Sequence, residues 1–262
     1  MEVFVLPTAQ QVAERAARVV VDGVRAALAS GRTEPVIGLA TGSSPLGLYA
    51  VLSGAVAAGE VSFERARGFA LDEYVGLPAG HPESYREVLL REVCGPLGLP
   101  PDRLHVPDGS GRSEEELAAG AADYERRMAD AGGVDVQILG IGANGHLGFN
   151  EPGSALTSRT RVKRLSERTR SDNARFFDSL DAVPTHCVTQ GLGTVLDARR
   201  LVLVASGAGK AAAVAAAVEG PLSASCPASV LQWHADAVVV LDEAAAAGLA
   251  NRDYYDASAA GL

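Results

Sequence analysis

The sequence predicts a doubly wound α/β fold, in which a mostly parallel open sheet is covered by helices on both faces. Short apolar stretches alternate along the chain with stretches whose apolar residues recur at helical spacing, which is typical of parallel sheets. Glycine-rich turns follow several apolar stretches, as they do where strands of such a sheet end. The 262 residues contain no repeat, low-complexity linker or clear domain boundary, so we expect a single domain over 1–262.

The first half of the chain begins with a helix and continues with two strand and helix pairs. Thr8 and Gln11 form a capping-box pattern ahead of a helix with one apolar face. An apolar strand at 35–40 is followed by a polar loop and by a helix with Pro45 in its first turn, a position that tolerates the missing N–H. Residues 67–72 indicate another strand, which ends on Asp72, and residues 84–94 indicate a helix.

The second half continues the alternation. Ser113 and Glu116 form another capping box, which starts a helix that stops near Gly132. Apolar stretches at 136–139, 187–189, 201–205 and 237–241 indicate strands, and residues 210–219 indicate a helix. The stretch 157–182 is less periodic and strongly basic, with seven basic and two acidic residues between positions 159 and 175.

Composition and charge exclude several classes of protein. The chain is 47% hydrophobic and 21% charged, as soluble globular proteins are. Its net charge of −9 argues against a nucleic-acid partner, and no apolar run is long enough for a membrane span. The three cysteines have no zinc-binding spacing and do not suggest a disulfide framework. With no signal peptide apparent at the N-terminus, we expect a cytoplasmic protein.

The strongest functional signal lies in residues 134–153. A buried strand there runs into a loop with glycines at 140, 142, 145 and 148, which permit positive φ and close approach of a ligand to the backbone. The loop carries Asn144, His146, Asn150 and Glu151. Polar side chains at the carboxyl end of a buried strand are where open α/β sheets place their chemistry. The alternative is a turn whose polar residues only cap backbone groups.

The loop at 41–44 has the features of an anion site. Thr41, Gly42, Ser43 and Ser44 join a strand to a helix, so free amides and hydroxyls can face a phosphate at the positive end of the helix dipole. Ser44 is expected to be the N-cap. Plain helix capping by serine is the alternative reading.

A second anion site is indicated at 205–210. The stretch resembles a P-loop, yet Val204 stands at the first glycine position and Ala211 replaces the Mg²⁺-binding hydroxyl, which excludes ATP. Lys210 opposes the helix dipole unless it shares a bound anion with the helix amides; otherwise it is a solvent-exposed lysine. Arg175 could clamp a phosphate with two hydrogen bonds, although a solvated or salt-bridged arginine is the usual finding.

Several motifs together resemble the glucosamine-6-phosphate deaminase family. They are Gly-Leu-Ala-Thr-Gly-Ser-Ser-Pro at 38–45, Leu-Asp-Glu-Tyr-Val-Gly-Leu-Pro at 71–78, His-Pro-Glu-Ser-Tyr at 81–85, Gly-Ile-Gly-Ala-Asn-Gly-His-Leu-Gly-Phe-Asn-Glu-Pro at 140–152, Ser-Arg-Thr-Arg-Val-Lys at 158–163 and Val-Glu-Gly at 218–220. The match runs in order over nearly the whole chain. The motifs at 71–78 and 148–152 are the most specific, because the loop at 41–44 also resembles other sugar-phosphate enzymes.

The resemblance implies isomerisation and deamination of glucosamine 6-phosphate to fructose 6-phosphate and ammonia, in the catabolism of amino sugars such as N-acetylglucosamine. It implies that Asp72 is the base for enolisation and that His146 is the base for ring opening, with Glu151 and Asn144 beside it. The loop with Ser43, together with Arg175 and Lys210, would bind the phosphate of the substrate. The basic segment at about 157–182 would form a small mobile lid, and no cofactor or metal would be needed.

Two departures from the family pattern concern charge and regulation. Some members carry Asp where this chain has Asn144, which cannot hold a negative charge. Some members are hexamers activated by N-acetylglucosamine 6-phosphate, so the chain could form a homo-oligomer. Ser154, Arg161 and Lys163 match the effector positions, whereas Ala155 stands where a second serine is expected. Two other readings stay open: a 6-phosphogluconolactonase, and a sugar-phosphate sensor without catalysis.

Overall fold

The computed structural model describes residues 1–260. Ten strands lie within this part of the chain. They are β1 (Glu2–Leu6), β2 (Val36–Leu39), β3 (Arg67–Ala70), β4 (Asp72–Tyr74), β5 (Leu104–His105), β6 (Val136–Leu139), β7 (Arg161–Arg164), β8 (His186–Thr189), β9 (Arg200–Ala205) and β10 (Ala237–Asp242).

The same residues form ten α-helices with 3₁₀ and π turns between them. The helices are α1 (Ala9–Ala29), α2 (Leu46–Ala57), α3 (Tyr85–Leu89), α4 (Gly95–Leu97), α5 (Glu114–Asp130), α6 (Glu167–Asn173), α7 (Leu192–Leu196), α8 (Ala211–Val218), α9 (Glu243–Ala246) and α10 (Arg252–Ala260). A π turn (Leu90–Cys94) follows α3, and 3₁₀ turns occupy Pro101–Arg103, Ala174–Phe176, Ala208–Lys210 and Pro227–Trp233.

Seven strands form one open parallel sheet in the order β1-β10-β9-β6-β2-β3-β5. The residues of β2 and β6 are fully buried, as expected for strands covered by helices on both faces. The predicted doubly wound fold is therefore confirmed. The N-terminal strand β1, which the sequence pattern did not reveal, pairs with β10 at one edge of the sheet.

The direction of winding reverses between β2 and β6. The chain proceeds from β2 to β3 and β5 on one side, and from β6 to β9 and β10 on the other. Loops that leave two such strands diverge and open a crevice at the carboxyl edge of the sheet, where ligands bind in folds of this type. The loops at 41–44 and 140–151 leave β2 and β6 at this crevice.

A second, antiparallel sheet of three strands lies beside the first in the order β4-β8-β7. The single strand expected at 67–72 is wrong, because the parallel strand ends at Ala70 and β4 starts at Asp72. The amide of Leu71 still bonds the carbonyl of Leu39, whereas its carbonyl accepts from Gln190. Leu71 thus transfers the chain between the sheets, and Asp72 pairs with Thr189 of β8.

The helix caps agree with the sequence at two positions and differ at a third. Thr8 and Ser113 cap α1 and α5 as predicted, each accepting from the amide three residues later. Ser44 is not the N-cap of α2, because Pro45 takes that place and the first helical hydrogen bond runs from Tyr49 to its carbonyl. The Ser44 hydroxyl is left to face the crevice instead.

The basic stretch at 157–182 has more regular structure than its pattern suggested. It contains β7 and α6, and Ser166 caps α6 by accepting from the Thr169 amide at 3.1 Å. The strand β7 reads Arg-Val-Lys-Arg and is only partly buried, so it lacks the apolar run by which the other strands were recognised. The mobility expected of this stretch stays a prediction.

Candidate active site

A cavity of about 400 Å³ opens at the carboxyl edge of the sheet, between the loops that follow β2 and β6. Asp72, His146, Arg175 and Lys210 all line it. The cavity is also lined by the residues of the loop at 41–44 and by Tyr85, Thr169, Asp172 and Asn173. Asp72 follows β3 and His146 follows β6, and β2 lies between these two strands in the sheet. The loop at 41–44, which follows β2, therefore lies between Asp72 and His146.

The residues predicted to hold a phosphate surround one end of this cavity. Gly42 has a φ of 89°, which few other residues adopt, and it leaves Ser43 exposed on the loop. The Lys210 ammonium donates to the carbonyl of Ile141 at 2.6 Å, which holds it over the loop after β6. The structure thus brings Thr41, Gly42, Ser43 and Ser44 together with two cations.

The charge of the Lys210 side chain depends on its surroundings. Burial lowers its pKa, the nearby Asp172 carboxylate opposes this effect, and the positive charge of Arg175 adds to it. Arg175 itself is exposed, and its guanidinium lies 4.7 Å from the centroid of the Phe176 ring. Because the positive charge of Arg175 lowers the pKa of Lys210, an anion bound between the two side chains would stabilise the charged form of Lys210.

Asp72 is a buried carboxyl group at the side of the cavity. It is 5% exposed, and burial together with the charge of Glu73 raises its pKa to about 8. Gly148 lies against it: a Cβ placed on this glycine would be 3.1 Å from Oδ2 of Asp72. A carboxyl group with a pKa near neutrality is suited to exchange protons with a substrate.

Glu73 has a structural contact that the sequence did not reveal. Its carboxylate accepts from the backbone amides of Tyr74, Tyr85 and Arg86 at 2.8–2.9 Å. Two of these amides belong to the first turn of α3, so Glu73 attaches that helix to the strand that carries Asp72. The side chain points away from Asp72 along the extended chain, as expected.

The imidazole of His146 lies flat against Gly142. A Cβ placed on Gly142 would be 2.2 Å from Cε1 and 2.3 Å from both ring nitrogens. Only glycine leaves room for the ring in this position, which explains one of the four glycines that the sequence places in this loop. The Nδ1 atom of His146 is buried and lies 3.8 Å from Oε2 of Glu151.

Glu151 lies behind His146 and receives hydrogen bonds on both oxygens. Oε2 accepts from Asn144 at 2.7 Å, and Oε1 accepts from the hydroxyls of Ser166, at 2.9 Å, and Thr169. Burial alone would raise the pKa of Glu151, but its contacts with His146, Thr169 and Asn144 lower it to about 2. The side-chain amide of Asn144 donates to Glu151, and its side-chain oxygen accepts from the backbone N–H of His146 at 3.3 Å.

Four polar side chains that line the cavity were not predicted from the sequence: Tyr85, Thr169, Asp172 and Asn173. The Tyr85 ring stacks on Phe149 with 5.9 Å between centroids, and its hydroxyl lies 3.3 Å from that of Tyr74. Tyr85 is the last residue of the family motif at 81–85, and this motif was the one signal in the sequence that could have identified it. Nothing in the local pattern of α6 separates residues 169, 172 and 173 from their exposed neighbours.

The residues expected to bind an effector lie outside the cavity lining. Ser154 is buried, and its hydroxyl has no hydrogen-bond partner among residues 1–260. The Arg161 guanidinium donates to Oδ1 of Asn150 at 2.7 Å. Arg161 and Lys163 are two positions apart on β7, so they extend to the same side of that strand. Their role in effector binding stays a prediction.

A wider hollow of about 730 Å³ lies at the opposite edge of the sheet, where β2 and β3 begin. Its arginines already have partners, since Arg67 pairs with Glu34, Arg32 with Asp135 and Arg127 with Asp123. The smaller cavity is the better candidate because it combines cations that face the opening with a buried acid and an imidazole. Size alone does not identify a catalytic site.

Residues 1–260 contain neither a metal-binding cluster nor a candidate membrane-spanning helix. No group of three or more His, Cys, Asp or Glu side chains there is arranged to hold a metal ion. Among the helices in that range, none has the length and apolar character that crossing a bilayer would require.

Comparison with known proteins identifies the family. Residues 7–240 match the family described as glucosamine-6-phosphate isomerases/6-phosphogluconolactonase. The chain belongs to this family. A glucosamine-6-phosphate deaminase of Streptomyces avermitilis is 53% identical over 262 residues, which cover 100% of this chain and 97% of that protein. A glucosamine-6-phosphate deaminase of Cutibacterium acnes is 52% identical over 255 residues, covering 97% and 95%.

Two solved structures have the same fold. A monomeric glucosamine-6-phosphate deaminase superposes with a TM-score of 0.88 at 38% identity, covering 95% of this chain and 100% of that one. The 6-phosphogluconolactonase of Trypanosoma brucei superposes with a TM-score of 0.73 at 21% identity, covering 95% and 98%. The second similarity shows a shared fold only.

Proposed function

We propose that the protein converts glucosamine 6-phosphate and water to fructose 6-phosphate and ammonia. One observation carries the proposal: a buried carboxyl group, Asp72, and an imidazole backed by a carboxylate, His146, line a single cavity that is also lined by the loop at 41–44, Arg175 and Lys210. Relatives about half identical over the full chain are named for this reaction. The reaction needs a proton transfer at each of two positions on the sugar, and the cavity offers one group for each.

Binding begins with the phosphate in this proposal. The amides and hydroxyls of the loop at 41–44 donate hydrogen bonds to its oxygens, together with Lys210 and Arg175. An anion there relieves the repulsion between the two cations, and the fixed phosphate holds C1 and C2 of the sugar against the catalytic groups.

Ring opening is assigned to His146. The substrate enters as a closed pyranose, and the imidazole takes the proton of the C1 hydroxyl and returns a proton to the ring oxygen as the bond between C1 and that oxygen breaks. An imidazole suits this exchange because it accepts and donates a proton near neutral pH. Glu151 holds the Nδ1 side of the ring, so that the Nε2 side works on the substrate.

Enolisation is assigned to Asp72. The ionised carboxylate takes the proton from C2, which gives an enolamine, and the proton is returned to C1. The resulting iminium at C2 adds water and releases ammonia, which leaves the ketone of fructose 6-phosphate. A carboxylate whose pKa is raised to about 8 is a stronger base than an ordinary aspartate.

The wider setting of the reaction belongs to the same proposal. A place in amino-sugar catabolism is consistent with the names of the relatives, and we propose a cytoplasmic location with it. We also keep, as proposals, a mobile lid at 157–182, a homo-oligomer, and an effector site formed by Ser154, Arg161 and Lys163. Sedimentation and assays with and without N-acetylglucosamine 6-phosphate address the last two.

The decisive experiment compares two assays. The purified protein should release ammonia from glucosamine 6-phosphate and should not hydrolyse 6-phosphogluconolactone. Asp72→Asn should lose ammonia release and the exchange of the C2 hydrogen with solvent, while substrate binding is retained. Lactone hydrolysis without ammonia release would replace the proposal by a lactonase. Undiminished C2 exchange in Asp72→Asn would remove Asp72 from its role.

A further inference from the structure

Two hydroxyl groups from the basic stretch meet one oxygen of Glu151. Ser166 donates to Oε1 at 2.9 Å, and Thr169 donates to the same atom. Both residues belong to the start of α6: Ser166 is its N-cap, and Thr169 is buried one turn later. Neither the motifs nor the comparisons assign these residues a function.

The other oxygen of Glu151 is thereby directed to the imidazole. A carboxylate can accept about four hydrogen bonds, two on each oxygen. Ser166 and Thr169 fill Oε1, and Asn144 takes one position on Oε2. The remaining position on Oε2 faces Nδ1 of His146, a buried atom that makes no hydrogen bond within the described part of the chain. At 3.8 Å the two atoms are close enough to bond after a small adjustment when substrate enters.

We propose that Ser166 and Thr169 are positioning residues for ring opening, because they fix the Glu151 carboxylate in the one rotation that presents Oε2 to Nδ1 of His146. The inference rests on the proposed function for its catalytic consequence. Neither hydroxyl touches the reacting atoms of the substrate in this assignment; both act through Glu151. The carboxylate in turn selects the His146 tautomer that carries its proton on Nδ1.

The same stretch of chain links ring opening to phosphate binding. Arg175 follows Thr169 by six residues, and both line the cavity. Between them, Asn173 donates to the Tyr74 hydroxyl at 3.0 Å, which attaches the stretch to the strand that carries Asp72. Residues 166–175 therefore contact the phosphate end of the cavity, the partner of His146 and the strand of the second base. Displacing this stretch would remove the two hydroxyl donors from Glu151 and would move Arg175 away from the cavity at the same time.

Neutral donors suit the position of Ser166 and Thr169. Hydroxyls stabilise the ionised carboxylate without adding a full charge, so Glu151 stays an acceptor for His146. A lysine or arginine in their place would form an ion pair with Glu151 and compete with the imidazole. The low pKa of Glu151 agrees with this arrangement, since Thr169 is one of the groups that lower it.

The test replaces the Thr169 hydroxyl by a methyl group. Thr169→Val keeps the shape of the side chain, leaves one lone pair of Oε1 without a donor, and spares the cap that Ser166 provides. Thr169→Ser restores a hydroxyl. Ser171→Ala is the matched control, because Ser171 is an exposed residue of α6 whose side chain makes no hydrogen bond in the described structure. All variants are made in the full chain, and calorimetry confirms that each is folded.

The direct readout is the ¹⁵N spectrum of the His146 imidazole, which reports which nitrogen carries the proton. We expect a defined Nδ1–H tautomer in the unsubstituted protein, in Thr169→Ser and in Ser171→Ala, and a mixture in Thr169→Val. An unchanged tautomer in a folded Thr169→Val protein would overturn the inference. This measurement needs no substrate, so it stands even if the proposed function fails.

The catalytic readout isolates ring opening from enolisation. In an Asp72→Asn background, which blocks enolisation, the exchange between the two anomers of glucosamine 6-phosphate measures ring opening alone. Thr169→Val should slow this exchange on the order of tenfold to a hundredfold, as the loss of one hydrogen bond to a charged group allows, with little change in substrate affinity. Thr169→Ser should recover most of the loss. Equal exchange rates with and without the hydroxyl would also overturn the inference. If no ammonia is released by the unsubstituted protein, the proposed function fails, and the ¹⁵N result still decides the positioning role.

Discussion

The side-chain amide of Asn144 donates a 2.7 Å hydrogen bond to Oε2 of Glu151. The other end of the same amide accepts from the backbone N–H of His146, so the two contacts fix which way the side chain points. A neutral donor beside the carboxylate favours its ionised form. The family position that holds Asp in some members is therefore filled here by a group that supports Glu151 without sharing its charge.

Asn144→Asp should raise the pKa of the Glu151 carboxyl group. The substitution brings a second carboxylate next to Glu151, and two like charges at hydrogen-bond distance hold a proton to higher pH than either does alone. We expect the pH at which this pair binds its first proton to move upward by about one unit or more, as followed by ¹³C NMR of the Glu151 carboxyl carbon. Asn144→Ala removes the hydrogen bond without adding charge and should move this pH less. Identical titration curves for the two variants would show that charge at this position is irrelevant.

Asp72→Asn should stabilise the protein most at high pH. The pKa of Asp72 is raised from 3.8 to about 8, so its contribution to stability is full below about pH 4 and is lost as pH rises through 8. Asparagine is neutral throughout. The melting temperature of Asp72→Asn relative to the unsubstituted protein should therefore rise between pH 5 and pH 9, by about 3–8 °C. Asp22→Asn, at a side chain that is 54% exposed, serves as the control. A difference that stays constant with pH would contradict the raised pKa.

Lys210→Ala should weaken recognition of the phosphate. We expect KM for glucosamine 6-phosphate to rise on the order of tenfold to a hundredfold, because one charge-assisted hydrogen bond is lost, while the weak binding of unphosphorylated glucosamine changes little. Arg168→Ala removes an exposed cation of the basic stretch that does not line the cavity, so it should leave KM unchanged. Equal losses for both sugars would exclude Lys210 from the phosphate site.

Gly142→Ala should displace the His146 ring. The added methyl group would lie 2.2 Å from Cε1, and the backbone of Gly142 does not have a positive φ, so the side chain rather than the backbone must give way. We expect kcat to fall about a hundredfold, since misplacement of a catalytic group by an ångström has that effect. Gly54→Ala, where a Cβ would meet nothing within 4 Å, should be as active as the unsubstituted protein. Full activity of Gly142→Ala would show that the ring can work from another position.

The parts of the fold that the sequence predicted are those with strong local periodicity. The sequence predicted the buried strands at 136–139 and 201–205, because burial requires apolar residues there. It also predicted the helices that follow Thr8 and Ser113, because capping requires particular polar residues at the helix start. The strand β7 and the exact start of α2 were not predicted. The first has three basic residues and a single apolar one, and at the second a serine and a proline compete for the capping position.

In the candidate site, too, the features with a local sequence pattern were predicted and those without one were not. The loops at 41–44 and 140–151 were predictable because they contain glycines and polar residues. The family resemblance supplied the expected roles of Asp72, His146, Glu151, Arg175 and Lys210. Thr169 and Asn173 were missed, because each is an ordinary polar residue in a short helix. Their partners are Glu151, 18 positions earlier, and Tyr74, 99 positions earlier. No local pattern records such a pairing.

The sequence by itself determined the alternation of strands and helices, the position of the two loops predicted to bind an anion, and the family. These properties depend on the residues within each stretch, on their spacing, burial and backbone freedom. The tertiary structure decided that Leu71 passes the chain to a second sheet and so sets Asp72 beside Thr189, and that α6 brings two hydroxyls to Glu151. Such contacts join stretches far apart in the chain, and only the packing of the folded molecule sets their distances.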